Sequence, residues 1–295
     1  METVTPKVSI IIPHYNQKEC LKVLLPSVAN QTFRYYEVII IDDCTPDKSA
    51  VEYIRDFIKE HANMHLVENA ANLRFIKTVN KGIKLAAGEY VCLLNSDTEL
   101  KSNFVQRNVE IMDADLSIGG LSCIVVDKGG RNWFSGGIFR KGWPVNLLDD
   151  FQGIRSVDFV AGTACFYRKE VFDKIGLFDE DFIMYHEDIE FGLRMKTKMD
   201  YKICAFAEKL VVHHVVPSIP RGDFDYYANR SHIILVRRYG KRYVPKTILV
   251  LFLMSLRQTA NLLFLSVAKR DLKRLLRSPY PIRGVLDGLI KRQSN

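Results

Sequence analysis

The sequence predicts an α/β fold built on a mainly parallel sheet. Three observations carry this: short, wholly apolar runs, segments of helical period between them, and acids placed just beyond the apolar runs. Runs of that kind suit strands covered on both faces.

Val8–Pro13 reads as a first buried strand, stopped by its proline. Lys18–Asn30 has helical spacing, with Leu21, Leu24, Leu25 and Val28 on one face and Pro26 as a break or kink. Tyr36–Ile41 is a second buried strand ending on Asp42 and Asp43, Ser49–Ala62 an amphipathic helix, and His65–Glu68 a short third strand. Thr78–Ala87 reads as a helix whose end Gly88 marks. Tyr90–Asn95 is the strand the rest is organised around, because it runs straight into Ser96 and Asp97. Residues 119–160, richer in Gly and aromatics, read as loops and short strands; Arg168–Ile175 and Glu187–Lys196 read as helices, and Lys202–Val212 as a strand.

The charge is unevenly placed. Of 42 basic and 34 acidic residues, 16 and 4 fall from Arg221 onward, which leaves residues 1–220 with 26 and 30. An acidic body with a basic tail points to an anionic partner for the tail. Thr247–Leu256 and Asn261–Ala268 are nearly all apolar but flank Arg257, and the basic run 269–277 follows. A central Arg is costly inside a bilayer, so an interfacial helix on a membrane surface is expected; packing on the body or on a second subunit is the alternative. The expected division is a catalytic body over 1–240 and a helical, basic tail over 241–295. Leucines rather than aromatics interleave with the basic residues, which argues against nucleic acid. Six singly scattered cysteines read as free thiols of a reducing compartment. Met1–Lys7 is too short and polar for a secretory leader, so a cytoplasmic body, peripheral on the inner face of the plasma membrane, is expected.

Three groups of acids stand out: Asp42 with Asp43, Asp97, and Glu187 with Asp188. Alone, Asn95–Asp97 is a helix cap and Glu187–Asp188 a pair complementing a helix dipole. Acids ending parallel strands together are expensive unless a cation or a hydrogen-bonding ligand compensates, and Asp97 could hold Mg²⁺ or Mn²⁺ against a phosphate.

Pro13-His14-Tyr15-Asn16, Ile41-Asp42-Asp43, Asn95-Ser96-Asp97, Gly176-Leu177-Phe178-Asp179-Glu180 and Tyr185-His186-Glu187-Asp188-Ile189-Glu190 follow in the order and spacing of a known family. Over roughly residues 7–240 the chain resembles the family 2 glycosyltransferases, inverting enzymes of the GT-A fold, nearest their rhamnosyltransferase-like branch. The resemblance implies a nucleotide pocket lined by Pro13, Tyr15 and Asn16, with Asp42 or Asp43 accepting from the ring N–H of the base. It implies that Asp97, with Asn95 and Ser96 beside it, holds Mg²⁺ or Mn²⁺ and the diphosphate, that His213 or His214 lies near that metal, and that Asp188 is the general base with Glu187 as its partner. Gly162 and Thr163 fall in a loop that lines the donor sugar, and Asn80 belongs to the substrate-binding set.

Two departures matter. Asn95 replaces the first acid of the metal-binding element, and Arg74 stands where the family usually has Gly. Arg74 reads as a solvated loop residue or as a bidentate clasp on the diphosphate. The resemblance thus implies transfer of a sugar from a nucleotide diphosphate sugar (dTDP-rhamnose or a UDP-sugar) to a glycan or lipid-linked acceptor in surface polysaccharide synthesis. A non-catalytic nucleotide-sugar-binding protein, motivated by Asn95, and a nucleic-acid-binding protein are the competing readings.

Overall fold

The computed structural model describes residues 5–215, 220–269, 273 and 279–290. The chain runs β1 (Val8–His14), α1 (Lys18–Ala29), β2 (Tyr36–Asp42), α2 (Lys48–Ile58), β3 (Met64–Glu68), α3 (Phe75–Leu85), β4 (Tyr90–Leu94), β5 (Thr98–Leu100), α4 (Phe104–Ala114) and β6 (Ile118–Val126). Four short strands follow, β7 (Asn132–Phe134), β8 (Gly137–Arg140), β9 (Trp143–Asn146) and β10 (Ile154–Ser156), then β11 (Ala164–Arg168), α5 (Lys169–Ile175), α6 (Glu187–Lys198) and β12 (Lys202–His213). The last helices are α7 (Arg221–Tyr239), α8 (Val244–Lys269) and α9 (Tyr280–Ile290).

The chain divides into two units. The first (1–138, 145–179 and 191–216) holds a ten-stranded sheet of order β10-β12-β6-β11-β4-β1-β2-β3, with β5 on β12 and β7 on β6. Strands β3, β2, β1 and β4 are parallel, as are β6 and β12, while β11 runs antiparallel between β4 and β6. The apolar runs fill the interior as their lack of alternation predicts: Ile10, Ile11 and Ile12 are fully buried, each contributing about 2 kcal/mol of transfer free energy.

Parallel pairing brings the strand ends into line. His14 sits opposite Asp42, and Asp42 opposite Glu68. That alignment gathers the polar ends of β1, β2 and β4 at one edge of the sheet, where open α/β sheets bind ligands.

Three details differ from the sequence reading. The 119–160 region contains a nine-residue, wholly buried strand, β6; its two glycines hid it, yet Tyr167 and Tyr201 pack where their side chains would be. Gly88 does not cap α3, which ends at Leu85 with Ala86 as cap; a Cβ on Gly88 would lie 2.7 Å from the Ser9 nitrogen, so glycine is required for close approach to β1. Pro26 does not end α1, which continues through it to Ala29.

The second unit (139–144, 180–190 and 217–295) is built on α7, α8 and α9, with Ile233, Leu251 and Val285 at its core and Trp143, Ile248 and Leu289 around them. On α8, Thr247, Leu251, Ser255 and Leu262 form the buried stripe, whereas Leu249, Phe252, Leu253, Leu256 and Phe264 are exposed. By length and composition alone, 241–264 is long and apolar enough to cross a bilayer. The basic run 269–277 lies, except for Lys269 and Lys273, outside the described residues.

Candidate active site

The end of β4 is fixed from three directions. The Asn95 N–H donates to the Thr163 carbonyl at 2.9 Å, Thr98 Oγ1 donates to the Asn95 carbonyl at 2.7 Å, and Ser96 Oγ bonds Gln17 at the start of α1. Thr163, with Gly162 before it, therefore meets Asn95 on the loop that enters β11.

Asp97 is almost buried, and His213 Nε2 lies 3.2 Å from its Oδ2. β12 delivers that histidine by pairing antiparallel with β5, which places His213 opposite Thr98. The Trp133 ring packs edge-on against His213 at 4.3 Å between centroids, and His213 Nδ1 is buried with no hydrogen-bond partner among the described residues. His214 turns away to Glu99 Oε2 at 3.2 Å, and only its backbone N–H reaches Asp97, at the carbonyl. Of the two histidines, His213 is the one whose ring meets Asp97.

At the ends of β1 and β2 the two neighbouring acids do different work. Asp43 accepts from the Leu73 N–H (2.8 Å), the Arg74 N–H (2.9 Å) and Asn69 Nδ2 (2.9 Å). It therefore clamps the loop before α3. Asp42 accepts from the Thr45 N–H at 3.1 Å through Oδ2, while its buried Oδ1 has no partner among the described residues. His14 is also buried, neither ring nitrogen has a hydrogen-bond partner among the described residues, and burial pulls its pKa down to about 4 despite Asp42. The neighbouring turn exposes Tyr15 and Asn16, with the Asn16 N–H donating to Thr45 Oγ1 and Pro13 half-buried. Asn80 uses both ends of its amide on the Phe178 backbone, so it holds the Gly176–Glu180 motif in place.

Arg74 has φ 69° and ψ 169°, a conformation glycine adopts freely and other residues rarely do. Glycine would take that conformation without strain.

In the second unit, Glu187 and Asp188 open α6 after a contorted turn: Ile183, Tyr185 and His186 all have φ between 59° and 68°. Ser231 of α7 bonds the Phe182 and Met184 carbonyls, and Arg230 bonds that of Asp181, fixing the turn. Asp188 Oδ1 accepts from the Ile189 N–H at 2.8 Å. Burial, and then the Asp188 charge, hold the Glu187 carboxyl well above the usual carboxylate range. Burial drives His186 down to about 3, helped by His232, whose own ring burial also lowers. Both imidazoles are neutral at physiological pH.

Among the described residues no three His, Cys, Asp or Glu side chains are grouped as a metal cage would require. The Asp97–His213 pair, a hard carboxylate oxygen and an imidazole Nε2 3.2 Å apart, is a donor set suited to Mn²⁺ or Mg²⁺ when the remaining ligands come from a bound phosphate and water.

A family model for glycosyl transferase family 2 matches residues 9–176, more than half of the chain. The chain belongs to that family. It is 26% identical over 214 residues to the amylovoran biosynthesis glycosyltransferase AmsB of Erwinia amylovora, covering 70% of this chain and 69% of AmsB. It is 30% identical over 195 residues to the glycosyltransferase EpsJ of Bacillus subtilis, covering 64% of this chain and 55% of EpsJ. Among solved structures it resembles S. aureus TarS in complex with UDP, with TM-score 0.56 and 22% identity over 78% of this chain and 65% of that one. It also resembles GalNAc-T7 with UDP, GalNAc and Mn²⁺, with TM-score 0.64 and 17% identity over 80% of this chain and 48% of that one. The fold of this family 2 member is therefore of the GT-A type.

Sequence reasoning passed over Gln17, Thr45, Asn69 and Trp133. Asn69 and Thr45 carried no signal, because their partners are backbone groups and acids brought close only by the fold. Trp133 carried a weak one, as one of two tryptophans in the chain.

Proposed function

We propose that the chain is an inverting glycosyltransferase that moves a sugar from a nucleotide diphosphate sugar, a UDP-sugar or dTDP-rhamnose, to a hydroxyl of a glycan or lipid-linked acceptor during surface polysaccharide synthesis. The observation that carries this reading is the Asp97–His213 pair at the carboxyl end of β4. The names of relatives such as AmsB, and the UDP bound in a structural neighbour, support it.

Asp42, with its unpartnered Oδ1, is assigned to the N–H of the base, since Asp43 is committed to the 69–74 loop. Tyr15 and Asn16 line the same edge, and Gly162 and Thr163 face the donor sugar. Asp97 and His213 would hold Mg²⁺ or Mn²⁺, which when bound offsets the negative charge gathering on the departing diphosphate. Asp188 takes the proton of the acceptor hydroxyl as that oxygen attacks the anomeric carbon; the bond to the diphosphate breaks, its electron pair leaves with the phosphate oxygen, and the centre inverts. No enzyme nucleophile is needed.

The lipid-facing part of the proposal falls on α8. Its exposed row of Leu249, Phe252, Leu253, Leu256 and Phe264 accompanies a net charge of +12 from Arg221 onward, the combination that an anionic membrane surface recruits.

The test is thermal stabilisation by UDP, dTDP, CDP and GDP with and without Mn²⁺, followed by release of nucleoside diphosphate from the corresponding sugars. Stabilisation by one nucleotide that needs the metal and disappears in Asp97→Ala is expected. Binding without any release from any donor would leave a nucleotide-sugar-binding protein instead. Pelleting with phosphatidylglycerol vesicles, reduced in Phe252→Glu/Leu253→Glu, tests the membrane face.

A further inference from the structure

A histidine that serves a metal ion usually gives its second ring nitrogen to a carbonyl or carboxylate, and that bond fixes the plane of the ring. His213 lacks this support. Its Nδ1 is buried with no hydrogen-bond partner among the described residues, although Nε2 stands 3.2 Å from Asp97 Oδ2. What packs on the ring is Trp133, 4.3 Å away between centroids and inclined by 76°.

The β6–β7 hairpin brings the indole there by its register. Val126 of β6 lies opposite Val212 of β12, so the hairpin turn emerges next to His213. β7 then returns along β6 with a slip of one residue. Val125 faces Phe134 and Val126 faces Asn132, which leaves Trp133 as the extra residue of a β-bulge. A bulge re-aims the side chain it carries. The neighbouring residues anchor the hairpin: Phe134 is buried, and Asn132 Nδ2 donates to the Leu148 carbonyl and to Asp150 Oδ1, both at 3.1 Å. Asp127 Oδ1 accepts from the Gly129 and Arg131 N–H groups across the turn. His213 and Asp97 still keep 9% and 11% of their side-chain surface open to solvent.

We propose that Trp133 is a positioning residue for metal binding: its indole, carried on the bulge, holds the His213 imidazole with Nε2 turned to Asp97, in place of a hydrogen bond at Nδ1. This rests on the reading of Asp97 and His213 as the holders of Mg²⁺ or Mn²⁺. Without the indole the imidazole can rotate about its Cβ–Cγ bond, and the pair is no longer preorganised.

The test follows thermal stabilisation of the full chain by UDP, or by whichever of dTDP, CDP and GDP stabilises it more, as Mn²⁺ is titrated. The reading is the Mn²⁺ concentration at half effect. Trp133→Leu, which fills apolar space without a flat ring, is expected to raise it about ten- to a hundredfold, the usual cost of removing support behind a metal ligand. Nucleotide binding without metal should not move, and Trp133→Phe, which restores a ring, should recover most of the loss. His213→Ala alone should raise the half-point at least as far. Trp133→Leu added to it should then cost less than about twofold more, because no imidazole remains to be held. The full cost of Trp133→Leu persisting without His213 means a purely structural role and overturns the proposal; so does a wild-type half-point in Trp133→Leu. Should Trp133→Leu not fold, Trp133→Met takes its place, and a chain that folds with neither assigns the indole to stability and overturns the proposal. A wild-type chain without Mn²⁺-dependent stabilisation, or His213→Ala with the wild-type response, removes the metal from this pair. That is a failure of the underlying reading, and the proposal falls with it.

Discussion

The chain carries its acids in two settings that solve the same problem in opposite ways. At the carboxyl edge of the parallel strands, regular register brings Asp42 and Asp43 to backbone donors, loop N–H groups for Asp43 and the Thr45 N–H for Asp42, and sets the His213 ring beside Asp97. In the 180–190 segment, a turn with three left-handed residues leaves Glu187 Oε2 buried without a donor among the described residues, and burial pushes that carboxyl's pKa up. The sheet edge lines its acids up with loop N–H groups, whereas the free N–H groups of the α6 start serve Asp188 and do not reach Glu187 Oε2. Catalysis of glycosyl transfer needs both kinds of place, one for an anionic donor and one where a carboxylate remains basic enough to take a proton.

The largest effects should break this contrast at its two ends. Asp188→Asn is expected to lower donor turnover by on the order of 10²–10⁴ while UDP-dependent thermal stabilisation persists. Asp97→Ala is expected to cost on the order of 10²–10³ in turnover and also to abolish metal-dependent stabilisation by nucleotide. Should both variants lose nucleotide binding equally, the two settings do not have separate roles.

Much of the first setting was legible in the sequence, and the reason is geometric. Buried parallel strands are unalternating apolar runs, so β1, β2 and β4 announce themselves, and the residues just past them must lie at one edge. What stayed hidden depends on pairing between distant segments. Nothing in the residues chose between Asp42 and Asp43; the Leu73 and Arg74 N–H groups distinguish them. The choice between His213 and His214 likewise waited on the β5–β12 register, which turns alternate side chains to opposite faces. Gly119 and Gly120 read as loop residues, yet they sit in β6 because aromatic rings fill the space above them. The burial of the Glu187 Oε2 was invisible too, since an acidic pair at a helix start usually faces water.

Asp43 gives the next effect, on stability rather than on chemistry. Asp43→Ala strands the Leu73 N–H and leaves the Arg74 N–H and the Asn69 amide only their second acceptors, Asn72 Oδ1 and Thr78 Oγ1, which should cost about 2 kcal/mol, measured by chemical denaturation. A loss below about 1 kcal/mol would mean the loop is held by other contacts and would return Asp43 as a candidate for the base.

His14 sharpens the contrast through pH. Its folded pKa of about 4 lies below that of the unfolded chain, so the unfolded state binds the extra proton as pH falls from about 6.5. Stability contributed by the neutral ring is present above that range and is lost on acidification toward pH 4. His14→Phe should flatten the curve between those limits. Glu187 has the reverse sign: its raised folded pKa gives stability at low pH that fades as pH rises through it, and Glu187→Gln should remove that alkaline loss.

The smallest effect separates backbone from side chain at Arg74. Its φ of 69° with ψ of 169° costs about 1–3 kcal/mol for a residue with a Cβ. Glycine removes that cost but adds about 0.5–1 kcal/mol of chain entropy in the unfolded state. Arg74→Gly is therefore expected to be more stable by about 1 kcal/mol, a rise of a few degrees in Tm. The backbone N–H at this position would still reach Asp43, so the loop keeps its clamp. If the guanidinium is a solvated surface group, UDP affinity with Mn²⁺ stays within about twofold. A loss nearer tenfold, with the stability gain intact, would instead assign Arg74 to the diphosphate, because a bidentate charged contact is worth about that much.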